Sequence, residues 1–334
     1  MKKNMKWLWI ALLSALVIFL GACGNSGDSN DSASGEETEA LTDLQMGTGS
    51  TGGTYYPLGQ EMAQVMNNHV EADGFNVSAV ASGASVENIG GIFQGTMQLG
   101  MTVHIPALEA AEGTGEFEGA KVDNFGFMGH IYPEVMQIIT TEDTGITSIE
   151  ELKGKKVAIG PAGSGTQAAA KIILEAYGLQ DGDYEAYEEG FGDAAAKIQD
   201  GQLDASFGLL GLPASSIDEL SFQRDVVLLP VEGKPLETIL ETSGYGEIEI
   251  PADSYDFLEE PVTAITAYAI LVGSTDQISE ELGYEIVKGL YENVSDITHP
   301  QGTFLDPENI MNGSEGLPIH PGAEKYFKEK GYMD

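Results

Sequence analysis

The chain has 334 residues, of which 53 are acidic and 15 are basic, so its formal net charge at pH 7 is −38. A surface this acidic argues against nucleic-acid binding and against adsorption to anionic lipid. Cys23 is the only cysteine, which rules out a disulfide framework within the chain, and the length is sufficient for two lobes with hydrophobic cores of their own.

The N-terminal segment has the layout of a lipoprotein signal peptide. Three lysines precede an apolar stretch from Trp7 to Leu20, and Gly21, Ala22 and Cys23 follow. This pattern predicts a signal peptide over residues 1–22 and a lipid on Cys23, so that the mature chain is extracytoplasmic and anchored to the outer face of the cell membrane. The alternative is an uncleaved N-terminal anchor with an incidental thiol, which places the rest of the chain on the same side. Residues 23–40 have almost no aliphatic side chain and no aromatic one, which predicts a disordered tether.

From Leu41 onward the hydrophobic pattern alternates between strands and helices with short connections, which is typical of α/β lobes with mostly parallel sheets. The predicted strands cover residues 44–46, 75–80, 99–103, 125–128, 135–140, 157–159, 205–210, 226–229 and 262–272. The predicted helices cover residues 57–69, 85–94, a short helix opened by a capping box at 148–151, a helix from 167 to the glycine at 178, 193–200 and 279–294.

Two glycine-rich segments share one design. Residues 47–57 and 160–166 each follow a predicted strand, precede a predicted helix and are rich in Gly, Ser and Thr. Loops in this position lie at the carboxyl ends of strands, where their backbone N–H groups suit an anion. The sequence therefore predicts that the two loops face one ligand across a cleft.

Several motifs with known chemistry are incomplete. Gly47-x-Gly49-x-x-Gly52 matches a dinucleotide fingerprint, but no acid ends the second strand, and the loop at Gly160 lacks the lysine of a P-loop. The five histidines have no metal-ligand spacing, and no nucleophile is paired with a base. We therefore expect no enzymatic activity, no cofactor and no metal. Since Arg224 is the only arginine, an anionic ligand group would be held by backbone N–H groups, hydroxyls, amides or a lysine.

Five segments occur in the order of a known family: GTGSTGGTYYPLG (47–59), ASVENI (84–89), GPAGSGT (160–166), DGQLDASF (200–207) and HPGAEKYFKEKG (320–331). On these motifs the chain from Leu41 to Asp334 resembles the TAXI-family solute-binding proteins of tripartite ATP-independent periplasmic (TRAP) transporters. The resemblance implies a two-lobed type II periplasmic-binding-protein fold, with the ligand in the cleft between the lobes. Lobe 1 would hold residues 41–132 with 273–334, and lobe 2 would hold residues 133–272.

The resemblance also implies a partner and a ligand class. Characterised members bind glutamate or related amino and organic acids and deliver them to an ion-driven permease. Many members carry a Gln-Ser-Asp-like run where this chain has Val103-His104-Ile105. Because Ile105 cannot pair with an ammonium, we expect a carboxylate ligand without an α-ammonium. His104 is interpreted either as a donor to that ligand or as a packed histidine at a strand end.

The candidate ligand-binding residues come from the two glycine-rich loops and from the starts of neighbouring helices, where hydroxyl and amide groups can reach a carboxylate. Their alternative roles are packing for the tyrosines and helix capping for the serine and the asparagine of the second helix. They are Thr51, Tyr55, Tyr56, Ser85, Asn88, His104, Ser164, Gly165, Thr166, Gly211 and Leu212.

The sequence thus predicts a monomeric, extracytoplasmic solute-binding lipoprotein that captures a small carboxylate and delivers it to a TRAP-type membrane permease. The competing hypothesis is a sensing module that binds the same ligand and reports to a membrane receptor. An extracellular hydrolase would need a nucleophile–base pair that the sequence does not contain.

Overall fold

Strands and helices alternate along residues 42–334, the part of the chain that the computed structural model describes. The predicted signal peptide, Cys23 and the tether lie outside the described residues. The strands are β1 (Asp43–Gly47), β2 (Asn76–Val80), β3 (Leu99–Val103), β4 (Phe125–Thr141), β5 (Lys156–Ala158), β6 (Glu185–Tyr187), β7 (Ala205–Leu210), β8 (Val226–Leu228), β9 (Gly246–Ile250) and β10 (Val262–Ser274). The helices are α1 (Tyr55–His69), α2 (Ser85–Phe93), α3 (His104–Glu112), α4 (Gly165–Ala176), α5 (Phe191–Gln199), α6 (Ser215–Ser221), α7 (Gly233–Thr242), α8 (Glu280–Tyr291) and α9 (Pro321–Lys330).

The strands form one continuous sheet in the order β2-β1-β3-β10-β4-β7-β5-β6, with β8 also paired to β4 and β9 to β10. The outer strands pair in parallel, as β1 does with β2 and β3, and as β5 does with β6 and β7. The long strands β4 and β10 run in opposite directions at the centre, and each pairs antiparallel with all of its neighbouring strands. The expectation of mostly parallel sheets therefore holds for the outer strands and is wrong for the centre.

Three hydrophobic cores lie along this sheet. The first contains β1, β3, α1 and α8 together with the halves of β4 up to Tyr132 and of β10 from Ala269. The second and third contain the other halves of β4 and β10, with α4 in the second and α5 in the third. The two central strands thus connect separate cores without a break. The predicted lobe boundaries stay a prediction, and core membership puts the change along β10 between Ala267 and Ala269.

The largest difference from the predicted elements concerns β4. The sequence predicts two short strands here, over residues 125–128 and 135–140. One strand of 17 residues forms instead. Its register against β10 shifts twice, between Ala269 and Ile270 and between Leu271 and Val272. Pairing with β7 begins only at Val135, so the proline, which has no N–H group, lies where no β7 ladder needs one.

Smaller differences occur at helix starts. Helix α3 was not predicted and begins directly after β3 at His104. The predicted capping box gives only a 3-10 turn over Ile149–Leu152, and Ser148 does not cap it. The Glu151 carboxylate instead accepts hydrogen bonds from the backbone N–H and the hydroxyl of Thr147. Helix α4 ends as predicted, with Gly178 at a φ of 77°.

Candidate functional site

Four helices begin at one cavity. Residues from the first turns or caps of α1, α2, α4 and α5 line it, together with residues of β3, β4 and β7. The cavity has a volume of about 50 Å³, which suits a small ligand. Its hydroxyl-bearing or ionisable lining residues are Ser50, Thr54, Tyr55, Ser85, Tyr132, Glu134, Ser164 and Thr166.

The first glycine-rich loop is fixed at the carboxyl ends of β1 and β2. The backbone N–H and hydroxyl of Thr48 both donate to the Val80 carbonyl, at 3.0 and 2.6 Å. The Asn88 amide donates to the carbonyls of Thr48 (2.8 Å) and Met101 (2.7 Å) and accepts from the Ser82 hydroxyl at 2.7 Å. Asn88 therefore ties the segments that follow β1 and β2 to the middle of β3, and its hydrogen-bonding capacity is used within the protein.

The cap of helix α2 carries local strain. Ala84 has a φ of 75° and is the one non-glycine residue with a positive φ within residues 42–334. The left-handed region is unfavourable for alanine, and such strain is concentrated at functional sites. Ala84 lines the cavity beside Ser85. The Ser85 hydroxyl accepts a hydrogen bond from the Val103 N–H at 3.1 Å, which ties the start of α2 to the end of β3.

The second glycine-rich loop leads into helix α4. The Ser164 hydroxyl caps the helix by accepting from the Gln167 N–H at 3.0 Å. The Thr166 hydroxyl accepts from the Leu209 N–H of β7 at 3.3 Å. Gly165 has no room for a side chain, since a β-carbon there would lie 2.5 Å from Val103.

The two sides of the cavity meet through backbone contacts. The Val86 N–H of α2 donates to the Gly163 carbonyl of the second loop at 2.9 Å. Across the opposite edge, a β-carbon on Gly52 would lie 2.5 Å from the Cα of Gly192. We call this backbone-to-backbone contact between Gly52 and Gly192 the glycine seam. The Gly211 N–H also donates to the Thr54 hydroxyl at 3.0 Å, so residues far apart in sequence close around the cavity.

Glu134 on β4 is the one charged side chain among the lining residues, and no lysine, arginine or histidine is among them. It is 2% exposed, and its Oε1 accepts a hydrogen bond from the Tyr132 hydroxyl at 3.2 Å. Burial raises the pKa of Glu134 to about 8, although the hydroxyls of Tyr55 and Tyr132 oppose the shift. A carboxylate so placed is neutral in much of the unliganded protein and can be ionised by a cationic partner.

The hydroxyl of Tyr55 is also available. Its ring packs edge-on against the Tyr132 ring, with centroids 6.1 Å apart. The hydroxyl is near Glu134 and Ser85 but is buried without a well-formed hydrogen bond within the described residues. Burial and the nearby Glu134 raise the pKa of Tyr55 well above its ordinary value. A buried hydroxyl without a partner is costly, so a ligand atom at this position would be stabilising.

Five of the predicted site residues line the cavity: Tyr55, Ser85, Ser164, Gly165 and Thr166. Their contacts with a ligand stay a prediction. The structure brings them together from both glycine-rich loops and from α2.

The other six do not line the cavity. Thr51 is exposed in a turn, and Tyr56 is half-buried on another face of α1. Asn88 makes the internal hydrogen bonds described above. Gly211 contributes its N–H to Thr54, and the Leu212 carbonyl accepts from the Gln301 side chain at 3.1 Å.

His104 lies outside the cavity lining, in agreement with the packed alternative. Its Nδ1 accepts from the Tyr268 N–H at 3.1 Å, and its ring is 5.4 Å from the Tyr268 ring. Burial lowers the pKa of His104 to about 4, so the imidazole is neutral at physiological pH. The direction of the side chain could not be read from the sequence, because the helix that starts at this residue was not predicted.

Glu134 and Tyr132 were not among the predicted site residues. Both lie between the two short strands expected in place of β4, so they fell in a presumed connection. An acid directly followed by the apolar run Val135-Met136 was the available signal, since a buried strand rarely carries an acid without a role.

Within residues 42–334, no group of three or more His, Cys, Asp or Glu side chains is arranged to hold a metal ion. No helix in the same range is long and apolar enough to cross a membrane. The site is therefore described by hydroxyls, helix starts and one buried acid.

The model of the NMT1-like family matches residues 46–331. Among solved structures, the chain is similar to PhnD1 from Prochlorococcus marinus in complex with methylphosphonate, at 10% identity over 87% of this chain and 99% of that chain, with a TM-score of 0.53. It is also similar to a protein from Bordetella bronchiseptica, at 18% identity over 88% and 90% of the two chains and a TM-score of 0.51. The alkanesulfonate-binding protein SsuA from Xanthomonas axonopodis pv. citri, bound to MOPS, has 15% identity over 86% and 84% and a TM-score of 0.49. The similarity to PhnD1 and to the Bordetella protein, whose TM-scores exceed 0.5, concerns the fold, and the predicted two-lobed α/β periplasmic-binding-protein fold is confirmed.

Proposed function

Since the chain belongs to the NMT1-like family and has a periplasmic-binding-protein fold, we propose that it is an extracytoplasmic solute-binding protein that captures a small carboxylate and delivers it to a membrane permease. The observation that carries this proposal is the meeting of four helix starts at one small cavity. Backbone N–H groups at a helix start have no partner within the helix and carry partial positive charge.

The cavity chemistry fits an anion held without arginine. The hydroxyls of Ser85, Ser164 and Thr166 lie at the starts of α2 and α4, where they and the backbone N–H groups can donate to carboxylate oxygens. A ligand that contacts both loops would favour the arrangement in which the two sides of the cavity are in contact. Binding would then be linked to closure, which gives a permease a liganded form to recognise.

A thermal-shift screen of small organic and amino acids, followed by calorimetry, tests the binding function. We expect a saturable, stabilising interaction with at least one carboxylate, since a ligand that binds only the folded state raises the melting temperature. Ligands of the same size without a carboxylate serve as the control. A screen in which no carboxylate stabilises the protein would contradict the proposal.

The acceptor is proposed to be a TRAP-type permease, on the basis of the TAXI-like motifs at Gly47, Gly160 and His320. Proteoliposomes that contain the permease and this protein should take up the ligand under an ion gradient without ATP. Uptake that requires ATP would instead favour an ABC transporter. Binding without any transport would favour the sensing module.

The lipid anchor on Cys23 is proposed together with this function, because it would keep the protein near the permease. Mass spectrometry of the membrane-extracted protein should show a diacylglyceryl group on Cys23, and Cys23→Ala should abolish it. A wild-type protein with an unmodified N-terminus would contradict the anchor and leave the binding function intact.

A further inference from the structure

Within residues 42–334, Glu134 is a buried acid without a cationic partner. It is 2% exposed, and no basic side chain is among the residues that line the cavity with it. An ionised carboxylate in such a place costs free energy unless a charge or several donors compensate it. Within the described residues no ion pair involves Glu134. Its negative charge is therefore compensated by protonation, by hydrogen bonds from tyrosine hydroxyls or by the ligand.

The surroundings of Glu134 favour its ionised form once a cation is present. Tyr132 donates to Oε1 at 3.2 Å, and the hydroxyl of Tyr55 is buried close to Glu134 with no well-formed hydrogen bond to any residue of 42–334. A tyrosine hydroxyl can donate a hydrogen bond to a carboxylate oxygen, and such hydrogen bonds stabilise the ionised form of the acid. The tyrosines therefore hold the acid in position without neutralising its charge.

The helix starts supply the opposite polarity in the same cavity. Ser85 at the start of α2 and Gly165 at the start of α4 line it together with Glu134. One negative centre and several partly positive helix ends form a cavity with two poles, and a ligand that carries only a carboxylate would leave one pole without a partner.

We infer that the ligand presents a protonated amine to Glu134 and a carboxylate to the helix starts, so that the protein binds a small amino acid and Glu134 is the residue that selects the amine. This inference rests on the proposed function. It reverses the expectation drawn from Ile105, because the acid reaches the cavity from the central strand β4 and not from the segment after β3.

The competing chemistry is a protonated Glu134 that donates to a ligand carboxylate. The titratable groups that face Glu134 are Tyr55 on α1, Tyr132 on β4 and Tyr245, which precedes β9. Burial raises the pKa of all three above the ordinary tyrosine value, so they stay neutral near pH 7. Proton exchange on binding is therefore assigned to Glu134 alone.

Calorimetry on the full-length protein with matched ligand pairs tests the inference. Each common amino acid is compared with the acid of the same carbon skeleton that lacks the amine, such as L-alanine with propionate and L-glutamate with glutarate. For at least one pair we expect the amino acid to bind about thirtyfold or more tightly, which is the scale of losing one partner of a buried charge pair. Tighter or equal binding of every deaminated partner would overturn the inference while the proposed function stands. Failure of every compound to bind would overturn both.

The variant Glu134→Gln separates the two chemistries, because an amide can donate to a carboxylate but cannot pair with an ammonium as a charge. We expect the preference for the amino acid to be lost in Glu134→Gln and kept in Glu109→Gln. Glu109 is a matched control, since it is a partly buried acid with a raised pKa that does not line the cavity. Melting temperatures without ligand verify that both variants fold. Should Glu134→Gln not fold, Tyr132→Phe is used, and it should reduce the same preference. Unchanged selectivity in the folded variant would overturn the inference.

The pH dependence gives an independent readout. Binding of an ammonium ionises Glu134, so protons are released and affinity for the amino acid should rise between pH 6 and 8. Repeating the titration in buffers of different ionisation enthalpy measures the protons released. Affinity that falls as the pH rises through 8, or proton uptake on binding, would assign Glu134 as a donor and overturn the inference.

Discussion

At the scale of single residues, neighbours in sequence have separate roles. Tyr55 and Tyr56 both start helix α1, but only Tyr55 lines the cavity. Asn88 and Ser85 lie one turn apart on α2, yet Asn88 is occupied by hydrogen bonds between strand ends and only Ser85 lines the cavity. Which of two similar side chains meets a ligand depends on the face of the helix that packs, and this face is set by tertiary contacts.

The two tyrosines provide a matched pair of variants. Tyr55→Phe removes the buried hydroxyl that lies near Glu134, so we expect it to weaken binding of the best ligand by about 1–3 kcal/mol if the ligand uses that hydroxyl. Tyr56→Phe should leave the affinity within about 0.5 kcal/mol. Calorimetry on both variants checks this. Equal affinities in the two variants would show that the ligand does not use the Tyr55 hydroxyl.

At the scale of elements, contacts between loops and helix starts close the cavity. The glycine seam joins the first loop to the first turn of α5, and a hydrogen bond joins Val86 of α2 to Gly163 of the second loop. Close approach of two backbones is possible only without side chains. The glycines of these loops therefore serve closure as well as any contact with an anion.

Gly52→Ala tests the seam. Its β-carbon would lie 2.5 Å from the Cα of Gly192, so the two segments must separate, and we expect ligand affinity to fall by about 1–3 kcal/mol. The control is Gly90→Ala on α2, where a β-carbon meets nothing within 4 Å and stability should rise by about 0.4–1 kcal/mol. Affinity is measured by calorimetry and stability by thermal unfolding. A Gly52→Ala protein that binds as well as the wild type would show that the seam is not needed for the liganded form.

At the scale of the whole molecule, one buried acid makes stability depend on pH. The pKa of Glu134 is about 8 in the folded chain, against an ordinary value of 4.5. Between these values the folded chain holds a proton that the unfolded chain has lost, so this contribution to stability is present below pH 4.5 and is lost as the pH rises through 8. His104 and His130, whose pKa values burial lowers to about 4, act in the opposite direction below pH 6.5.

We therefore expect the unliganded wild type to lose stability relative to Glu134→Gln between pH 6.5 and 8.5, a range that avoids the histidines. The full effect from pH 4.5 to 8 is on the order of 5 kcal/mol at 1.36 kcal/mol per pH unit. Chemical unfolding of both proteins at several pH values measures the difference. Parallel stability curves would show that Glu134 is not buried as described.

Much of this arrangement could be predicted from the sequence, because local patterns determine it. The glycine-rich loops, the helix starts beside them and the Schellman-type end at Gly178 depend on nearby residues. Glu134 was missed because it lies between the two predicted strands, and the register shifts along the single continuous strand β4 depend on its partner β10. Helix α3 was missed for a similar reason, since it begins directly at His104, whose ring packs against Tyr268 of β10.

Strands β4 and β10 connect the cores without a break, and this has a mechanical consequence. Two strands that are hydrogen-bonded to each other resist bending. The halves of the protein are therefore joined by a stiff, elastic element and not by a free hinge. Tyr132 and Glu134 lie on this pair of strands, at the point where β4 passes from one hydrophobic core to the next. If Glu134 binds the ligand as inferred above, a change in the curvature of these two strands would change the ligand contact, and ligand binding would in turn favour one curvature.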